Sequence, residues 1–296
     1  MFYHWRGGYS HAFAPQTNVS VDYTHLLGRR LWRFVDINPL QVNPANPSGP
    51  RIRPMAADLQ RVYGDPNLLG STLMHASVGE SAYDAMDVHF EHRFPRTAFQ
   101  VNYSLAWARG YGGSAEAVTS GGTFPQRANA DISDITQADE WGPTPYDERH
   151  RVTVAGVFEL PWKVSVSPAI TMASARPYSL YAGVNPALTG AILGGTRALF
   201  LRDENGESVG PNSARGKALI NANARVGRNV QIGGQRTLSL FAEFYNILNR
   251  ANFGNQYGSF LGSATYQQPI NYLGGSGATS SIPISFQVQF GARFTF

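Results

Sequence analysis

Ile282-Pro283-Ile284-Ser285-Phe286-Gln287-Val288-Gln289-Phe290-Gly291-Ala292-Arg293-Phe294-Thr295-Phe296 closes the chain, and it alternates apolar and polar residues throughout. Side chains on a strand alternate between faces, so Ile282, Ile284, Phe286, Val288, Phe290, Ala292, Phe294 and Phe296 share one face. Pro283, Ser285, Gln287, Gln289, Gly291, Arg293 and Thr295 share the other. A strand of about 9–11 tilted residues, apolar outward and polar inward, is what a bilayer-spanning barrel requires. A soluble sandwich shows the same alternation but rarely ends on an exposed aromatic tail. The stretch therefore predicts an all-β fold, an antiparallel transmembrane β-barrel.

Eight further segments pass the same test. The first is about 2–13, with Tyr3, Trp5, Gly7 and Tyr9 opposing His4 and Arg6. After the turn Ala14-Pro15-Gln16, Val19, Val21 and Tyr23 oppose Ser20, Asp22 and Thr24. Met86, Val88 and Phe90 oppose Asp87, His89, Glu91 and Arg93. Past Pro95-Arg96, Phe99, Val101, Tyr103, Leu105 and Trp107 oppose Gln100, Asn102 and Ser104. Val152, Val154, Gly156 and Phe158 oppose Arg149, Arg151, Thr153 and Glu159. Beyond Pro161-Trp162, Val164, Val166 and Ile170 oppose Lys163, Ser165, Ser167 and Thr171. Ile220, Ala222, Ala224 and Val226 oppose Lys217, Asn221, Asn223 and Arg225, and Leu238, Leu240, Ala242 and Phe244 oppose Thr237, Ser239 and Glu243. Within these segments no Asp, Glu, Lys or Arg falls on the apolar face. A cation facing lipid at the bilayer centre costs about 2–4 kcal/mol, so a one-residue slip is penalised in nearly every strand. Two residues break the pattern: Pro168 cannot donate to a ladder, and Phe241 falls with the polar set.

Composition fits this reading. Charged residues make up only 15% of the chain and no stretch nears the ~18 apolar residues of a membrane helix. The absence of cysteine excludes a disulfide scaffold and thiolate metal sites. A net charge of +4 without a clustered basic face argues against a nucleic-acid partner. Met1-Phe2-Tyr3-His4-Trp5-Arg6 lacks the charged and then apolar segments of an export signal.

Connections alternate between short (14–16, 95–96, 161–162, about 229–235) and long (about 28–81, 111–147, 177–215 and 248–281). Outer-membrane barrels keep short turns in the periplasm and long loops outside. That places Phe296 at the periplasmic edge and Met1 at the extracellular side. Nine strands is an odd count, and a sheet with two bare edges is an aggregation hazard, so 1–296 is expected to be one partial barrel domain.

A resemblance carries the reading further. Val19-Ser20-Val21-Asp22-Tyr23, Asp36-Ile37-Asn38-Pro39, Tyr83-Asp84-Ala85-Met86, Asp147-Glu148-Arg149-His150-Arg151 and Gly156-Val157-Phe158-Glu159-Leu160-Pro161 follow one another in order. Pro211-Asn212-Ser213-Ala214-Arg215-Gly216, Ala242-Glu243-Phe244-Tyr245-Asn246-Ile247-Leu248-Asn249, Ala251-Asn252-Phe253-Gly254 and Phe290-Gly291-Ala292-Arg293-Phe294-Thr295-Phe296 complete the series. In these blocks the chain resembles the C-terminal barrel of TonB-dependent outer-membrane receptors, in particular the Oar-like branch with a carboxypeptidase-regulatory-like domain. The resemblance implies about nine C-terminal strands of a 22-stranded, plugged barrel. It implies import of an extracellular ligand with energy from TonB, which acts on a plug for which this sequence has no room. Neither the family's signal peptide nor its regulatory-like domain is expected within residues 1–296. It also implies that the C-terminal aromatic strand, with Phe290, Phe294 and Phe296, is the signal read by the barrel-assembly machinery.

No catalytic, cofactor or metal site is expected. His89 and His92 are three apart, hence on opposite faces of a strand and unable to chelate together. His25 in Asp22-Tyr23-Thr24-His25 has the same defect. Gly274-Gly275-Ser276-Gly277 lacks the Lys-Ser/Thr ending of a phosphate loop and reads as a loop tip. His150 beside Asp147 and Glu148 is the sole hydrolase candidate. Asp87, His89, Glu91, Arg93, Arg149, Arg151, Arg225 and Glu243 are the candidate lumen-facing residues. Arg149 and Arg151 would attract anions at the outer mouth or pair with carboxylates there. Trp107, Trp162, Tyr103, Phe158, Phe244 and Phe296 are expected at the membrane interfaces. The loop aromatics Trp141, Tyr146, Tyr178, Tyr181, Tyr257, Tyr266 and Tyr272 suit either stacking on a carbohydrate or peptide or packing on one another. The alternative to a receptor is a small self-contained porin or adhesin, which requires a tenth strand near Leu68–Val78.

Overall fold

The computed structural model describes residues 1–38, 43–50, 52–70, 72–111, 129–131, 141–184, 198–234, 236–273 and 283–296. The chain begins with β1 (Phe2–Ala14), β2 (Thr17–Asp36), α1 (Ala56–Tyr63), β3 (Leu73–Phe94) and β4 (Thr97–Tyr111). It continues through β5 (Asn129–Asp131), β6 (Trp141–Pro143), β7 (His150–Leu160), β8 (Val164–Ala173), β9 (Pro177–Tyr178) and β10 (Tyr181–Val184). It ends with β11 (Ala198–Phe200), β12 (Ala214–Arg215), β13 (Leu219–Gly233), β14 (Arg236–Tyr245) and β15 (Gln287–Thr295). Nine of these strands form one sheet in the order β1-β2-β3-β4-β7-β8-β13-β14-β15. Neighbours along that path are antiparallel throughout. Short β5 and β6 sit beside β2 and β4, and β9–β12 and β10–β11 are separate two-stranded pieces.

The nine strands match the nine segments expected, and the register confirms their faces. Directly opposed residues share a face. Val19–Phe90, Phe90–Val101, Val101–Val154, Val154–Ile170 and Ile170–Ala222 run as one apolar row across six strands. The opposite face carries Ser20–His89, His89–Asn102, Asn102–Thr153, Thr153–Thr171 and Thr171–Asn221. A half-buried soluble sheet would need a second layer over the apolar row. Among the described residues none packs there, and Leu160, Leu240, Phe290 and Phe294 on that face are all exposed. The buried apolar residues instead gather at the long-loop end: Ala173, Leu219 and Leu273 in one cluster, Tyr181 and Phe200 in another. The sheet is open among the described residues, since β1 and β15 each pair on one side only.

Four expectations are corrected. The last strand pairs only from Gln287 to Thr295, while Ile282 lies outside the described residues. Asn246 and Asn249 hold its approach instead. The Asn246 amide donates to the carbonyls of Pro283 (3.3 Å) and Ile284 (3.4 Å), and the Phe286 amide donates to Asn249 Oδ1 (3.0 Å). Second, the proposed tenth strand does not exist as a separate element. Leu73 to Val78 open β3 itself and pair with β2, whose hairpin extends as far as Asp36–Leu73. The self-contained porin or adhesin loses the strand it required. Third, this longer hairpin brings ionisable groups onto the apolar face, where the shorter segments read from sequence had none. His25 pairs with Asp84 and Arg29 with Glu80, in register with Tyr23–Met86. Both pairs lie at the long-loop end, where the cost of an outward charge falls towards about 0–1 kcal/mol. Arg228 also stands on this face, opposite Leu240 and Val164. Fourth, Arg149, expected on a strand, precedes β7 and is not constrained to either face by alternation.

Both pattern breakers acquire a physical reason. The β7–β8 ladder skips from Ala155–Ala169 to Phe158–Val166, so no amide is required of Pro168 on that side. Phe241 lies opposite Gly227 and Gly291, and its ring covers the space a Gly291 side chain would fill. The Arg225 guanidinium sits 3.9 Å over that ring. Gly291→Ala is therefore expected to swing Phe241 off its site at a cost of about 1 kcal/mol, the low end for overpacking because the ring tip can move. A urea unfolding midpoint, with Gly227→Ala as the roomier comparison, checks this.

Candidate functional site

The densest polar cluster stands where the connection before β7 meets the one between β8 and β13. Two tight features build it. The segment 144–149 turns on a bond from the Asp147 amide to the Thr144 carbonyl (3.0 Å), which tucks the Asp147 side chain inward until it is 1% exposed. Asp147 Oδ1 accepts the Ala108 amide at 2.9 Å. Its Oδ2 accepts Arg215 at 2.5 Å and Arg149 at 3.3 Å. Arg215 also donates to the carbonyls of Asp147 (2.9 Å) and Ala175 (3.0 Å). Next to it, Glu148 accepts Arg151 on one oxygen and Arg176 on the other, both at 2.6 Å. Arg149 lies over the Trp107 ring at 4.7 Å, and Arg176 over Tyr146 at 5.6 Å.

Four arginines thus share two carboxylates, leaving two excess positive charges. Such charge-assisted bonds are the strong ones, above all where a carboxylate is withdrawn from water. Burial pushes the Asp147 carboxyl up. The Ala108 amide, the Arg215 hydrogen bond and the charges of Arg149 and Arg215 outweigh it and hold the group below the usual carboxylate range. Of the two readings open for Arg149 and Arg151, pairing with carboxylates is what the geometry shows. The same network ties loops together: Asn212 donates to the Pro143 carbonyl (2.7 Å), and a Cβ on Gly216 would enter the ring of Tyr257.

The loop aromatics resolve the same way. Tyr178 stacks on Tyr257 at 4.9 Å, Tyr181 on Phe200 at 5.6 Å and Phe253 on Tyr272 at 5.3 Å. Tyr178, Tyr181 and Tyr257 are buried. They pack on one another, while Tyr146 and Tyr272 remain exposed.

The other expected residues are spread along the polar face and do not converge on one point. Asp87 accepts the Ser104 hydroxyl, and His89 Nδ1 meets Asn102 Oδ1 at 2.6 Å. Arg93 pairs with Glu91 at 2.6 Å on the same strand. Arg225 faces Glu243 across the β13–β14 ladder at 3.5 Å. His92 is turned away from His89 and meets Thr17 Oγ1 at 2.7 Å. His150 is drawn from Asp147 and Glu148 to the Tyr103 hydroxyl at 2.9 Å, so the hydrolase constellation does not form. Phe290, Phe294 and Phe296 are exposed along the apolar face of β15 and just beyond it. Gly274 to Gly277 lie outside the described residues.

One cluster was missed. Asp84 meets His25 Nδ1 at 2.6 Å and accepts the Tyr23 hydroxyl at 2.7 Å, with Trp5 packed at 5.3 Å from the His25 ring. Tyr23 and His25 stand two apart on β2, but their shared partner Asp84 lies 59 residues from His25 and is set by the β2–β3 register. It holds no nucleophile, because the Tyr23 hydroxyl is spent on Asp84. Among the described residues no three His, Asp or Glu side chains gather as metal ligands.

Residues 1–190 match the family model described as an outer membrane beta barrel domain. A search of curated proteins finds no match. Among solved structures the chain is similar to the outer membrane transporter YddB from Escherichia coli, with 10% identity and a TM-score of 0.49, covering 90% of this chain and 31% of that one. It is similar to the FrpB iron transporter from Neisseria meningitidis, with 10% identity and a TM-score of 0.49, covering 98% and 30%. A third is the ferric-catecholate import receptor Fiu from E. coli, with 11% identity and a TM-score of 0.41, covering 99% and 35%. The chain spans about a third of the length of these structures. Its two-faced antiparallel sheet and a family match over well more than half its length agree: the chain belongs to the outer membrane β-barrel domain family, and its place is the outer membrane.

Proposed function

We propose that this chain is the C-terminal part of the barrel of a TonB-dependent receptor of the Oar-like, carboxypeptidase-regulatory-like-domain branch. In that role it contributes wall and extracellular loops to a transporter that binds an extracellular ligand and imports it with TonB energy. It carries no catalysis of its own. The single observation that supports this most is the open sheet. Among the described residues nine strands leave one bare edge at β1 and another at β15, and unpaired backbone groups cost several kcal/mol each in lipid. Further strands of the same barrel satisfy both edges at once. Asp87, His89, Glu91, Arg93, Arg151, Arg225 and Glu243 then line the lumen, while Arg149 stays in the clamp at its mouth. Residues Phe290, Phe294 and Phe296 serve the barrel-assembly machinery, and TonB acts through a plug supplied by the rest of the receptor.

The test is the mass of the native protein in outer-membrane fractions, detected with an antibody against residues 287–296. A band far above 32.3 kDa is expected. A heat-modifiable band near that mass, closing on itself, would overturn the reading.

A further inference from the structure

The apolar face carries a concavity with a cation at its end. Val164, Val226, Leu240, Ala242, Phe290 and Ala292 line a shallow groove of about 610 Å³ that also reaches Arg228. Arg228 faces Leu240, Leu240 faces Ala292, and Ala242 faces both Val226 and Phe290, so all stand on the outward side of the sheet. The groove exists because Ala242 and Ala292 are small where Leu240, Val226 and Phe290 stand proud. Its volume lies within the roughly 300–1,000 Å³ of ligand clefts.

The cation's level is set by register. Arg228 faces Val164, the first residue after the turn Pro161–Lys163, where Trp162 is 81% exposed. This is a short-turn end of the sheet, hence the periplasmic boundary. Among the described residues no carboxylate pairs with the Arg228 guanidinium and no side-chain hydrogen bond holds it. Its neighbours on this face are apolar, so the protein leaves its charge for something in the membrane to satisfy. An alkyl-lined groove ending in a free guanidinium at headgroup level fits one occupant: an acyl chain in the groove and a phosphodiester on the arginine, whose planar donors match phosphate oxygens two at a time.

We propose that β8, β13, β14 and β15 form a binding site for a phospholipid of the periplasmic leaflet, with Arg228 holding the phosphate. The site differs from general lipid contact in retaining its lipid after extraction. The protein is placed in nanodiscs of phosphatidylethanolamine and phosphatidylglycerol (3:1), transferred to detergent and weighed by native mass spectrometry, with heat-modifiable mobility confirming that each variant is folded. The wild type is expected to keep one phospholipid, Arg228→Gln to lower that occupancy about tenfold, and Arg228→Lys to restore part of it. Ala242→Trp fills the groove while leaving the cation in place, and is expected to lower occupancy likewise. It reads the same site if Arg228→Gln does not fold. Equal retention by the wild type and a folded groove or Arg228 variant would overturn the proposal. So would a wild type that retains none, as when a neighbouring strand covers the groove.

Discussion

Val154→Arg should cost about 2–4 kcal/mol of folding free energy, the price of a cation facing lipid near the bilayer centre. Val154 lies midway along β7 between Val101 and Ile170, in the middle of the apolar row. Its neighbour Thr153 sits between Asn102 and Thr171 on the other face, so Thr153→Arg should change stability by well under about 1 kcal/mol. Folding yield and urea midpoints in phosphatidylcholine vesicles measure both. The contrast between adjacent residues is the decisive readout, since a soluble sheet with solvent on both sides would tolerate the two arginines alike. Equal costs would sink the assignment of faces.

Asp147→Ala is the second large effect. It removes the acceptor that Arg149, Arg215 and the Ala108 amide share. Breaking a buried pair costs about 3–5 kcal/mol, but Arg149 and Arg215 are 29% and 36% exposed and regain some hydration, so about 2–3 kcal/mol is expected. The loss is local: strands β7, β8 and β13 keep their ladders, while the loops around Arg176 and Arg215 come free. Trypsin should then cut at these arginines at least tenfold faster in Asp147→Ala, with the strands still protected. Acid should produce the same release in the wild type, and its sign follows from the carboxyl's lowered range. A group that gives up its proton more readily folded than unfolded contributes fully above the ordinary carboxylate value of about 3.9. That contribution disappears only as pH falls below it. Cleavage should therefore stay slow at pH 5, as judged with an acid-tolerant protease, and accelerate only below the carboxylate range. Acceleration between pH 5 and 7 would mean that Asp147 is not the clamp.

The clamp also shows where reading a sequence stops. Arg149 and Arg151 stood out as a basic run beside Asp147 and Glu148, and the run itself leaves two outcomes open: attraction of an anion or pairing with carboxylates. The partners that decide between them are Arg176 and Arg215, brought in from the two ends of the connection between β8 and β13. Arg215 meets Asp147 across 68 residues of chain, and nothing in local spacing points to it. Loop aromatics behaved alike. Tyr178 and Tyr257 suit ligand stacking and mutual packing equally in sequence, and only the fold shows them stacked on each other. On the strands, by contrast, the errors were confined to the ends. β2 and β3 outran their predicted limits, and the early part of the last strand was claimed by Asn246 and Asn249.

By itself the sequence determined the nine strands, the face taken by the residues within the segments it marked and the alternation of short turns with long loops. These follow from a period of two and from the cost of turning a charge to lipid, both of which act residue by residue along the chain. Tertiary structure alone decided that His25 meets Asp84, that Phe241 covers Gly291 beneath Arg225, that four arginines share two carboxylates, and that a groove ends on Arg228. Each of these depends on the register between strands or on loops meeting over the sheet, and such contacts are set by the packing of residues far apart in the chain.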